Sequence, residues 1–276
     1  MKTKFILITL LVFSTFYGIA QERPGPQPAP ETGEKFKLGM AGYTFVNFDL
    51  ETTLKTLQRC DVHYLCIKDF HLPLNSTDNQ IAAFHAKLKE YDVTGYAVGP
   101  LYMRSEEEIN KAFEYAKRVG VKTIVGVPTY ELLPYVDKKV KEYGFNYAIH
   151  LHGPDIEVFP DAEDVWNSVK DLDPRIGMCL DIGHDTRNGK DPVADLKKYH
   201  TRVFDMHLKD VTGTTKLGYS LEVGRGVIDF PALVKMMREV GYSGVISLEH
   251  EKDMKDPFMG IAESIGFFRG VVAATK

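Results

Sequence analysis

Four apolar runs in the second half of the chain each end on a side chain able to bind a metal. They are Ala148-Ile149-His150, Met178-Cys179-Leu180-Asp181, Phe204-Asp205-Met206-His207 and Ile246-Ser247-Leu248-Glu249. The intervals His150–Asp181, Asp181–His207 and His207–Glu249 each have the length of one strand–helix unit. Any one of these residues alone is ordinary where a strand meets solvent. Four at the same end of four successive strands point to one site. Two imidazoles and two carboxylates converging there favour a divalent cation, and mixed nitrogen and oxygen donors suit Mn²⁺, Co²⁺, Zn²⁺, Ni²⁺ or Fe²⁺ over Ca²⁺. Alternation along a strand puts His152, Lys209 and Glu251 on the same side as His150, His207 and Glu249, one step nearer the rim. His152 is a candidate acid or base, with a supporting partner of the ligands as the alternative, and Lys209 either orients substrate groups or forms an exposed ion pair. Glu251 reads as a supporting or solvated group.

Further candidates come from other segments. The second apolar run exits through Lys68-Asp69-Phe70-His71, so Lys68 or His71 can reach a ligand, with a rim salt bridge as the alternative. Residues 211–226 form a loop rich in Gly and Thr that contains Glu222 and Arg225, the latter a candidate ligand contact, and the loop is either a cover over the site or a plain long connection. Tyr43, Phe45 and Tyr102 follow early strands and are either faces for stacking a ligand ring or aromatic core. His63, His85 and His200 carry no assigned role.

The elements that must position these residues alternate regularly. Strands are expected over 37–45, 63–69, 94–99, 122–127, 146–151, 176–181, 203–208 and 244–249, with helices over 49–60, 77–91, 105–119, 131–143, 161–171, 191–200, 229–240 and 257–271. Ser105-Glu106-Glu107-Glu108 reads as a capping box, and Gly120 ends that helix. Asp229-Phe230-Pro231 opens another helix, closed by Gly241. Eight strand–helix repeats with short connections predict a single (β/α)₈ barrel over 36–276. An open doubly wound sheet is disfavoured, because no G-x-G-x-x-G follows the first strand.

The start of the chain is not part of that barrel. Lys2 and Lys4 precede an apolar run from Phe5 to Phe13 and the small residues Gly18-Ile19-Ala20, the pattern of a signal peptide over 1–20. Ser14, Thr15 and Gly18 interrupt the run before it reaches the roughly 20 residues of a membrane span. Residues 21–35, rich in proline, read as an extended, disordered tether. The expected location is therefore periplasmic or secreted, without stable membrane insertion. Of 276 residues, 44% are hydrophobic and 26% charged, an ordinary globular balance. The net charge of -4 gives no footprint for nucleic acid. Cys60, Cys66 and Cys179 are an odd count inside predicted elements, so they read as buried apolar residues, not a disulfide framework.

With these residues in view the chain resembles the xylose isomerase-like, or sugar phosphate isomerase/epimerase, barrels. Leu180-Asp181-Ile182-Gly183-His184, Met206-His207-Leu208-Lys209-Asp210, Val223-Gly224-Arg225-Gly226-Val227-Ile228-Asp229 and Ser247-Leu248-Glu249 carry the resemblance, which extends over 37–272. It implies a xylose isomerase-like fold, metal binding by Asp181, His207 and Glu249, and His184 lining the pocket. One position departs from the family pattern. Epimerases of the family place a Glu at the end of strand five, as metal ligand and acid/base group. Here His150 stands there, within Ile149-His150-Leu151-His152-Gly153. That His-x-His is similar to inosose dehydratases of the same superfamily, which enolise a ketone and expel a β-hydroxyl.

The expected activity is metal-assisted proton abstraction beside the carbonyl of a keto-sugar or keto-glycoside, with Glu249 or His152 as base and elimination or hydration favoured over epimerisation. Export argues against a phosphorylated substrate. The alternatives are a sugar isomerase or epimerase proper and a carbohydrate-binding barrel without catalysis. Phosphodiester cleavage, known in related endonucleases, conflicts with the acidic balance. Barrels of the resembled family often form dimers or tetramers, which leaves a homo-oligomer open.

Overall fold

The computed structural model describes residues 33–275. The signal peptide expected over 1–20 and most of the tether expected over 21–35 lie outside the described residues. The last part of that tether is held rather than free, since Arg238 Nη2 donates to Glu34 Oε1 at 2.5 Å.

Eight parallel strands close into a barrel. In chain order they are β1 (Lys37–Ala41), β2 (Tyr64–Ile67), β3 (Thr94–Met103), β4 (Thr123–Pro128), β5 (Asn146–His150), β6 (Ile176–Asp181) and β7 (Val203–Leu208), then, after a short hairpin β8 (Asp210–Val211) and β9 (Ser220–Leu221), β10 (Val245–Leu248). The cyclic order β1-β10-β7-β6-β5-β4-β3-β2 follows the chain around the barrel. Strands buried on both faces need continuous apolar runs, and these have them. Inside, the small residues Cys66, Ala97, Val125, Ala148 and Cys179 pack together with Tyr96 and Phe204 against them. All three cysteines are free thiols; Cys66 and Cys179 are buried as expected, whereas Cys60 is only half-buried.

The helices are α1 (Leu50–Arg59), α2 (Asp78–Glu90), α3 (Glu106–Val119), α4 (Leu133–Tyr143), α5 (Ala162–Val169), α6 (Ile182–Arg187), α7 (Pro192–Tyr199), α8 (Phe230–Glu239) and α9 (Phe258–Ala274). Their start signals act largely as read. Ser105 Oγ accepts from Glu108 N, but Glu108 Oε2 returns to the backbone of Arg104, not to that of Ser105, so the reciprocal box is incomplete. A complete capping box forms instead at Thr77 and Gln80. Gly120 (φ +79°) and Gly241 (φ +66°) adopt the left-handed backbone that ends a helix.

Two departures shape the site. β1 stops at Ala41, and 42–45 turn into a 3₁₀ helix. Thr44 Oγ1 there donates to Leu248 O and accepts from His250 N at 2.9 Å, so the turn grips the backbone on both sides of Glu249. β3 runs on to Met103, ten residues where the other barrel strands have four to six.

Candidate metal centre and ligand cavity

The strand register brings the four candidate ligands to one level. His150 pairs with Cys179, Asp181 with His207, and Ser247 with His207, so Glu249 follows one residue beyond β10. All four are buried, and their donor atoms lie within 4.8 Å of one another. His150 Nε2 is 2.9 Å from His207 Nδ1 and 3.7 Å from Asp181 Oδ2. His207 Nδ1 is 3.0 Å from Glu249 Oε2 and 3.5 Å from Asp181 Oδ2.

Local structure aims each donor. Asp181 Oδ1 caps α6 by accepting from Gly183 N at 3.0 Å and His184 N at 2.8 Å, which turns Oδ2 to the cluster. Gly183 has to be glycine, because a Cβ there would lie 2.6 Å from Lys209 Cγ. Behind His207, Asp205 Oδ2 stands 3.9 Å from Nε2, while Asp205 Oδ1 accepts from the Tyr96 hydroxyl at 2.9 Å. A carboxylate behind a ligand histidine orients the ring. Asp205 is fully buried, and that burial pushes its pKa up to about 6.

The donor chemistry fits a divalent cation. Burial, followed by the neighbouring imidazoles of His207 and His152, holds the His150 pKa well below 6.5, so its ring is a neutral donor. Burial works against the Glu249 carboxylate, but His207 and Lys209 override it and hold the pKa well below the ordinary carboxylate range. His150, Asp181, His207 and Glu249 would hold the ion.

Lys209 closes one side of the cluster. Its Nζ is 2.9 Å from both Asp181 Oδ2 and Glu249 Oε2, 2.8 Å from Glu251 Oε2 and 3.2 Å from His184 Nε2. Burial opposes its charge, and the three carboxylates overcome that, raising the pKa well above 10.5. Lys209 is only 1% exposed and does not line the cavity, so it positions the carboxylates and does not meet a ligand directly. Glu251 belongs to the same ion-pair group and does reach the cavity.

Above the cluster is a cavity of about 280 Å³ whose lining includes Tyr43, Lys68, Tyr102, His152, His184 and Glu251. His152 Nε2 is 2.7 Å from the Tyr102 hydroxyl. Gly153 follows at φ +60°, where a Cβ would lie 2.5 Å from His184 O. Of the residues expected to reach a ligand, Lys68 and His184 line this cavity. His71 and Arg225 do not. His71 Nε2 lies 3.0 Å from Phe48 O, drawn into the wall, and Arg225 Nε donates to Glu263 Oε1 at 2.5 Å on the outer surface.

No residue of the loop over 211–226 lines the cavity, although Ser220 Oγ donates to the cavity-lining Glu251 at 3.5 Å. Asp210 Oδ2 accepts from Gly224 N and Gly226 N at 2.9 and 2.8 Å, and Glu222 pairs with Lys252 at 2.8 Å, folding the loop against its own hairpin. Four contributors were missed in the sequence, among them Pro100, which lines the cavity on the unexpected extension of β3. Asp205 lies two residues before His207, so the alternation that exposed Lys209 could have found it. Asp155 and Ile156 line the cavity from a turn after β5 and carried no such signal.

Comparison with known proteins agrees with this architecture. An inosose dehydratase from Klebsiella pneumoniae is 30% identical over 138 residues, covering 42% of this chain and 45% of that protein. The chain thus matches less than half the length of that curated relative. Among solved structures, an uncharacterized protein from Parabacteroides distasonis is 27% identical, with a TM-score of 0.68 over 86% of this chain and 99% of that one. The IOLI protein, solved with a bound zinc atom, is 20% identical, with a TM-score of 0.71 over 87% of this chain and 98% of that one, a likeness of fold. Among the described residues no helix is long and apolar enough to cross a membrane. The family model for xylose isomerase-like TIM barrels matches residues 42–271, and this chain belongs to that family.

Proposed function

We propose that this protein is a metal-dependent enzyme that enolises an unphosphorylated keto-sugar or keto-glycoside and then eliminates a β-substituent, or runs the reverse hydration. The observation that carries this reading is the pairing of the bases around the cavity. Each carboxylate there is already paired with a cation: Glu249 with Lys209, Glu251 with Lys209, and Asp155 with Arg187. His152 is different, because the group facing its Nε2 is a phenol, that of Tyr102. Burial also lowers its pKa below 6.5, so the ring is neutral at pH 7. That favours His152 over Glu249 as the base expected from the sequence.

A divalent cation held by His150, Asp181, His207 and Glu249 supplies Lewis-acid polarisation of a carbonyl oxygen. His152 takes the proton from the adjacent carbon. Tyr102, hydrogen-bonded to the same ring, gives its proton to the departing oxygen and is reprotonated by His152. The proton thus passes from carbon to leaving group with no net change in the protein. A two-base epimerisation needs a free acceptor on each face of the carbon, and His150 stands where the family's second carboxylate would be. The partial likeness to an inosose dehydratase supports elimination.

The test is an NMR time course of metal-loaded protein in D₂O, offered 3-keto-glucosides and free ketoses. Deuterium beside the carbonyl with release of the aglycone is the expected result. Exchange or a new epimer without release would make the protein an isomerase or epimerase, and binding without exchange would make it a carbohydrate-binding barrel. We also propose export, on the pattern of residues 1–20 alone; cell fractionation finding the full-length chain in the cytoplasm would overturn it.

A further inference from the structure

A second cavity lies on the rim. It measures about 250 Å³, and its lining includes Asp69, Leu74, Leu101, Met103, Glu108 and Lys111. It shares Lys68, Pro100 and Tyr102 with the cavity over the ligand cluster. The long β3 creates it. Residues 100–103 continue the strand, with α3 supplying Glu108 and Lys111 behind them. Alternation sends Leu101 and Met103 to the buried side and leaves Tyr102 half exposed at the junction.

The lining indicates what it can hold. Lys68 and Asp69 pair at 2.5 Å, Lys111 pairs with Glu107 at 2.6 Å, and Glu108 accepts from Arg104 N. Two lysines and two acids therefore balance, each already with a partner, over an apolar floor of Leu101 and Met103. Such a lining offers no surplus positive charge for a phosphate or carboxylate. It suits a neutral, hydroxyl-rich ligand that exchanges hydrogen bonds with the charged rim. Tyr43 and Phe70 are exposed beside Lys68, and with Tyr102 they offer aromatic faces for the C–H face of a ring. The inner cavity alone is slightly below the roughly 300–1,000 Å³ usual for ligand pockets, room for a small ligand.

We propose that the outer cavity is a second subsite, which holds the glycosidic substituent of a two-ring sugar while the keto ring lies over the ligand cluster. This rests on the reading of the inner site as a keto-sugar site. Its substrate would then be a disaccharide-sized keto-glycoside and not a single-ring ketose.

Calorimetric titration of the metal-loaded full chain tests this, using methyl α- and β-glucosides, a panel of α- and β-linked glucose disaccharides, and the 3-keto form of each. At least one disaccharide should bind tenfold or more tightly than the methyl glucoside of the same linkage. Leu74→Trp, which fills the outer cavity, should bring that ratio close to one. Saturation-transfer NMR on the unmodified chain reads the same contact without a variant, and the second ring should saturate as strongly as the first. Affinities within twofold across the panel, or a second ring that does not saturate, overturn the subsite. Deuterium exchange into 3-ketoglucose separates the two failures. Exchange with no disaccharide preference overturns the subsite alone, whereas neither binding nor exchange of any sugar overturns the inner-site reading as well.

Discussion

The eight strand ends divide into two unlike halves. β5, β6, β7 and β10 end on or beside His150, Asp181, His207 and Glu249, all buried and all within reach of one another. β1 to β4 end on or beside Tyr43, Lys68, Tyr102 and Pro128, where Lys68 is the one charged side chain of the four. The first half is a network in which removing one member leaves another buried and unpaired, a costly outcome. The second half presents partly exposed aromatic faces whose neighbours do not depend on them for charge. In the proposed function, chemistry and shape recognition fall to opposite sides of one barrel, with the Tyr102–His152 hydrogen bond joining them.

The sharpest way to break this comparison is in the charged half. Asp181→Asn keeps an oxygen to cap α6 but loses the anionic donor. Metal content measured by elemental analysis should fall by at least ~100-fold in affinity, more than the 10–100-fold typical of residues behind a ligand. Retention of tight metal binding would remove Asp181 from the centre. His152→Gln comes next, with turnover in the deuterium assay falling ~10²–10⁴-fold as for loss of a general base, while metal content stays as in the unmodified chain. A parallel loss of metal would instead make His152 part of the centre.

Tyr102→Phe probes the junction between the halves. Loss of the proton donor to the departing oxygen predicts a fall of ~10²-fold or more in kcat/KM with unchanged metal content. A fall of only about fivefold, the worth of one hydrogen bond, would leave Tyr102 positioning His152 and remove it as the acid.

The smallest effect lies behind the charged half, at Asp185 on α6. Burial, and then the neighbouring Asp195, hold the Asp185 pKa well above 3.8. The folded state therefore favours the proton, and that contribution to stability is lost as pH rises from 3.8 through the raised value. Asp185→Asn removes a charge the fold resists. Its melting temperature should exceed that of the unmodified chain by a few degrees at pH 8, given about 2–4 °C per kcal/mol for a chain of this size, with the gain shrinking towards pH 4. An equal gain at both pH values would rule out this electrostatic cause.

Much of this organisation was legible in order along the chain. The sixth and seventh strands begin and end at Ile176, Asp181, Val203 and Leu208, as expected, because apolar runs bounded by turn residues mark strands directly. The first strand was expected to reach Phe45 and the third to stop at Gly99. Both errors have tertiary causes. Thr44 is drawn into a turn by bonds to Leu248 and His250, and β3 continues because β4 pairs with it as far as Met103. His71 and Arg225 looked like ligand contacts by type and position, but their partners, Phe48 and Glu263, lie 23 and 38 residues away in the chain.

The sequence by itself determined the repeat, the barrel and the place of the four candidate donors at its strand ends, because strand alternation and strand–helix spacing are local properties. Only the tertiary structure decided which groups remain free to react. Lys209 is consumed by Asp181, Glu249 and Glu251, Asp155 is consumed by Arg187, and His152 is left facing Tyr102. Those pairings join strands and loops distant in the chain, and the fate of a charge depends on what the closed barrel brings beside it.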